Sequence, residues 1–137
     1  MYEIKRADKI EEQIKLGDKV LTVRLDPDAI ALEFNKRTNA VIAAEQAIKK
    51  YGKSDDVESA LQAYTDALIN LLSLVFGEDN TVAILEYFEN NYIEMGIQIF
   101  PFIIEVVTPK IQTAVKAQRE QLAGKYASLN RAARRAR

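Results

Sequence analysis

Apolar positions recur every second residue up to residue 25 and every third or fourth residue beyond it. Val20, Thr22 and Arg24 alternate with Leu21, Val23 and Leu25, as in a strand with one buried face. Ile14 and Leu16 repeat that period in the run Glu12 to Leu16, and Gly17-Asp18 separates the two runs. This spacing predicts a β-hairpin turning at Gly17, with Tyr2 to Lys5 as a candidate third strand.

Asp26-Pro27-Asp28 predicts a helix start: an acceptor for free amides, a proline at the first helical position and a carboxylate at the positive end of the dipole. The helix is expected to run to Tyr51 and stop at Gly52, with Ile30, Phe34, Val41, Ala44 and Ile48 as its apolar stripe. Ser54-Asp55-Asp56 opens a second helix, in which Val57, Leu61, Tyr64, Leu68, Leu71 and Val75 form a heptad-like seam. Leu72, Leu74 and Phe76 widen its apolar surface before Gly77. Glu78-Asp79-Asn80 is expected to cap a short third helix carrying Val82, Leu85 and Phe88, and Asn90-Asn91 marks a break.

From Tyr92 one long segment follows. Ile93, Ile97, Phe100, Ile104, Val107, Ile111 and Ala114 step by three and four, predicting an inward seam. Pro101 is expected to kink or split it, and Thr108-Pro109 to start a new helix. After Val115 the seam thins to Leu122, Tyr126 and Leu129. The fold class expected is α+β, predominantly α-helical: a small N-terminal hairpin (1–25), then a helical bundle (27–129) with a long kinked C-terminal helix. Residues 1–129 form a single domain in this reading, and 130–137 a basic, frayed tail.

Composition narrows the chemistry. With no cysteine and no histidine, disulfides, thiolate or imidazole metal sites and His-assisted nucleophiles are excluded. The N-terminus, Met1 to Leu16, lacks an apolar h-region, so no signal peptide is expected. The greasiest run, Met95 to Ile104, is ten residues long, short of the about 20 a spanning helix needs; no membrane association is expected. The net charge is −1, but residues 116–137 hold seven basic residues and one acid, leaving −7 on residues 1–115. An acidic body thus carries a basic tail.

Three carboxylate clusters are the conceivable catalytic groups: Asp26 with Asp28, Asp55 with Asp56 and Glu58, and Glu78 with Asp79. Each lies at a predicted helix start, where capping and dipole complementation account for it. No enzymatic activity, no metal and no cofactor are therefore expected. The apolar run 97–104 serves either as a central core helix or as an oligomer or partner surface. Phe100 with Ile104 is expected inward, and Phe102 with Val106 on a contact face; the candidate partner-binding set is Phe100, Phe102, Ile103 and Val106. The basic tail, Arg131, Arg134, Arg135 and Arg137, is open to three readings: a solvated helix end, a nucleic-acid arm, or an arm received by the acidic bodies of neighbouring copies.

The hairpin, the Asp26-Pro27-Asp28 entry into a long helix, the Leu74-Val75-Phe76-Gly77-Glu78-Asp79 junction and the long C-terminal helix resemble the tail assembly chaperones of long-tailed bacteriophages and related prophages. The resemblance covers roughly residues 10–125 and is mostly architectural. It implies a non-catalytic, mostly helical protein in the cytoplasm of a bacterial host, which coats and solubilises the tape measure protein and recruits tail tube subunits. Self-association along such a client is expected. The alternatives are a small nucleic-acid-binding helical module using the basic tail and a generic homo-oligomeric adaptor.

Overall fold

A computed structural model of the chain describes residues 1–51 and 57–135. The expected stop at Gly52, the start at Ser54, Asp55 and Asp56, and Arg137 lie outside the described residues. Strands β1 (Ile10–Leu16) and β2 (Lys19–Leu25) precede helices α1 (Pro27–Tyr51), α2 (Val57–Phe76), α3 (Glu78–Tyr87), α4 (Tyr92–Phe102) and α5 (Thr108–Arg135). A π-helical turn over Ile103–Val107 joins α4 to α5. The molecule is thus α+β and predominantly helical, with its hairpin at the N-terminal side.

The hairpin pairs antiparallel from Ile10↔Leu25 to Leu16↔Lys19. Gly17 takes φ 59° in its two-residue turn, a conformation glycine enters without a Cβ clash. Leu21, Val23 and Leu25 are buried and Thr22 and Arg24 face out, so the two-residue period reads the face correctly. Tyr2 to Lys5 forms no third strand; Tyr2 and Ile4 alternate with Glu3 and Lys5, but both apolar side chains stay exposed, so no buried face stabilises the pairing.

At the start of α1, Asp26 Oδ1 accepts from the Ala29 amide at 3.4 Å and its other oxygen pairs with Arg6 at 2.8 Å. Phe34, Val41 and Ala44 are buried along the expected stripe, with Ile30 and Ile48 packed at its edges. Arg37 of α1 donates to the Asn70 carbonyl of α2 at 2.8 Å, and Glu45 lies near enough to Tyr64 to act on its hydroxyl. These pairings run in opposite directions along the two helices, so α1 and α2 form an antiparallel hairpin. Tyr64, Leu68, Leu71, Leu72, Val75 and Phe76 of α2 are buried in the shared core.

Gly77, at φ 80°, is the N-cap of α3, so the acidic pair Glu78-Asp79 sits inside the first turn rather than capping it. There it complements the helix dipole. Thr81, Ile84 and Phe88 are buried and Val82 is exposed, a stripe one residue off the expected one at its start. Glu89 and Asn90 take positive φ, and the Asn91 side chain accepts from the Glu94 amide at 3.1 Å. This cap makes the expected break before α4.

The long segment departs most from expectation. Helical structure is continuous from Tyr92 to Arg135: α4 runs through Pro101 to Phe102 without splitting there, and α5 begins at Thr108, at the start the Thr108-Pro109 pair predicts. The irregularity lies between the prolines, where the Ile103 carbonyl accepts from the Thr108 amide five residues on and from the Thr108 hydroxyl at 2.9 Å. Pro109 has no N–H to continue the ladder, and Thr108 supplies two donors beside it. The buried residues are Met95, Ile99, Ile103, Val107 and Ile111, a constant step of four. In a straight α-helix such a line drifts by about 40° per step; the wider π turn holds it on the core. Residues 130–135, expected to fray, continue α5, and Lys110 near its start pairs with Glu12 of β1.

Candidate protein-binding surface

The four proposed partner-binding residues do not form one open face. Ile103 is 0% exposed and belongs to the core, which corrects its assignment as a contact residue. Phe102 is half-buried, its ring centroid 6.2 Å from that of Phe76. Phe100 also packs against the core, and Val106 is half-buried. Of the seam expected inward, Ile93, Ile97 and Ile104 open outward, Ile97 to 66%, whereas Val107 and Ile111 are buried and Phe100 packs against the core. Segment 92–107 carries two apolar stripes, 93/97/100/104 and 95/99/103/107. Periodicity favours the first, whereas packing buries the second.

A further apolar surface lies between α1 and α5. A groove of about 550 Å³ is lined by Ala31, Leu32, Ile111 and Val115, with Asp28, Lys116 and Arg119 at its rim. Leu32 is 85% exposed at its edge. The sequence pattern did not single out this groove, because Leu32 lies off the main stripe of α1 and its groove partner Ile111 is 79 residues on in the chain. An apolar residue at an exposed helical position was the available signal.

The acidic clusters are at helix ends. Asp28 is in the first turn of α1, Glu58 in that of α2, and Glu78 with Asp79 in that of α3; Asp55 and Asp56 lie outside the described residues. Among the described residues, no three carboxylates converge as a metal site would require. Burial pushes the phenol of Tyr64 above the usual 10.0, and the Glu45 carboxylate adds to the rise.

Arg131, Arg134 and Arg135 are exposed on α5, and Arg137 lies outside the described residues. By length and hydropathy, α2 and the Tyr92–Arg135 helix would each suffice to cross a bilayer. In α2, however, Leu68, Leu71 and Leu72 are fully enclosed by the protein itself, as in the core helix of a bundle. No protein-family model matches the chain, and comparison with curated proteins and with solved structures finds no match.

Proposed function

We propose that this chain is a non-catalytic binding protein that shelters an apolar helix of a partner. The specific form of that reading is a tail assembly chaperone that keeps a tape measure protein soluble, recruits tail tube subunits to it and works in the bacterial cytoplasm. The observation that carries it is the α1/α5 groove, with Leu32 standing almost bare at its edge. A groove between two helices with an apolar floor and a charged rim is the shape into which an amphipathic helix lays its apolar face. Covering a leucine of this kind contributes about 1.5–3 kcal/mol, which the chain alone forgoes.

The test is co-expression with a tape measure protein, a long helical client, followed by pull-down and light scattering. The chain is expected to hold that partner in solution, and Leu32→Lys to release it without changing the circular dichroism of the chain. A partner that stays insoluble beside folded wild-type protein ends the client reading.

A further inference from the structure

We propose that the free stretch of α5 docks on the outer face of α4 in a second copy of this chain, joining copies head to tail. The inference concerns the chain alone and does not depend on a client. From Arg119 to Arg135 the side chains of α5 are exposed, that of Tyr126 aside, which is not described; Leu122 and Lys125 in its first turns flank Arg6 and Asp26 across an open pocket. This arm is about 25 Å long at 1.5 Å per residue. Leu122 and Leu129, seven residues apart, are exposed on one stripe of it, Leu129 to 65%. A helix of this length with so little of its surface covered has marginal stability in water, so its exposed apolar stripe calls for a surface.

Charge selects that surface. Residues 110–137 hold eight basic residues and one acid, whereas residues 54–109 hold ten acids and no basic residue. On α4 and the π turn, the exposed stripe Ile93, Ile97 and Ile104 is bordered by exposed Glu94 and Glu105. Lys15 of β1 shares a shallow pocket with Glu94 on one flank. The arm matches this face in both respects, apolar stripe to apolar stripe and cations to carboxylates. Two arms side by side would set Lys125 and Arg131 against their own copies, and the rim of the α1/α5 groove is net cationic, with Lys116 and Arg119 against Asp28. Both alternatives oppose like charges.

The arm cannot reach its own α4. Both belong to one continuous helix, and Ile97 and Leu129 are about 48 Å apart along it. A second copy must therefore supply one of the two surfaces. Such a contact joins unlike patches, so each added copy presents a free arm at one end and a free face at the other. The product is an open array or a ring, not a closed two-fold dimer.

Light scattering after size exclusion, on the nuclease-treated full chain, tests this. At about 0.1 M salt the mass is expected to exceed the 15.5 kDa monomer. It is expected to fall toward the monomer at about 1 M, where the Debye length drops from about 10 Å to about 3 Å. Lys125→Glu with Arg131→Glu reverses the arm; Ile97→Lys with Glu105→Lys reverses the face. Each variant alone is expected to be monomeric with unchanged circular dichroism, and mixing the two to restore assembly, because each then offers what the other lacks. If the lysine pair unfolds the chain, Ile97→Gln with Glu105→Gln replaces it, with loss of assembly expected. A monomeric wild type, an arm variant that still assembles, a mixture that stays monomeric, or association that requires DNA or RNA would each overturn the proposal.

Discussion

Gly96 of α4 lies against Tyr64 of α2 so closely that a methyl group on Gly96 would overlap the Tyr64 hydroxyl. The same methyl would stand 3.0 Å from Tyr64 Cζ and 3.3 Å from Leu68 Cδ2. Glycine inside a helix costs up to about 1 kcal/mol relative to alanine, so its presence here reflects packing. It lets α4 approach α2 closely enough for Met95 and Ile99 to enter the core on either side of it.

Gly96→Ala is therefore expected to destabilise the chain by about 1–3 kcal/mol, since overpacking outweighs the gain in helix propensity. Urea denaturation of the single variant and of Gly96→Ala with Tyr64→Phe checks the cause. Removing the hydroxyl should recover part of the loss; an equal loss in both would place the strain elsewhere.

Tyr64 also predicts a loss of stability at alkaline pH. Its folded pKa is raised above 10.0, first by burial and then by Glu45, so the fold prefers the protonated phenol. That contribution is present in full below about pH 10 and is lost as the pH rises through the folded pKa. Thermal melts are expected to fall more steeply above pH 10 for the wild type than for Tyr64→Phe; parallel curves would refute the linkage.

The interior position of Phe102, against Phe76, changes what its replacement should do. Phe102→Ala is expected to cost about 1–3 kcal/mol of stability, less than a fully enclosed phenylalanine because the ring is half-exposed. Phe34, 1% exposed in the core, is the stricter case. Phe34→Asp buries a carboxylate without a partner and is expected to abolish folding in a domain stabilised by about 5–15 kcal/mol in all. Chemical denaturation of the first and circular dichroism of the second separate the two expectations.

Thr108 is expected to hold the π turn. Its hydroxyl and its amide both reach the Ile103 carbonyl, beside a proline that donates nothing. Thr108→Val keeps the shape and removes the hydroxyl donor, at an expected cost of about 0.5–1.5 kcal/mol. Hydrogen exchange over residues 103–112 should quicken; an unchanged rate would show that the turn is held by packing of Ile103 and Val107 alone.

The residues that act through near neighbours were legible in the sequence: the Gly17 turn, the alternation of β2, the Asp26-Pro27 start, the Asn91 break and the stripes of α1 and α2. Their causes are local, set by dihedral preference, capping and a single apolar face. Segment 92–115 differs because it is apolar on two sides, and the three-four step favours Ile93/Ile97/Ile104 although Met95/Ile99/Ile103 are the ones buried. That choice was made by α2, whose Tyr64 and Leu68 accept the side of α4 bearing Gly96, and by the π turn, which keeps Val107 and Ile111 in line with it. The same choice turned Ile103 inward, left Ile97 bare, and brought Leu32 beside Ile111 and Val115. A sequence specifies which faces are apolar, but which of two such faces is covered depends on the shape of what packs against them.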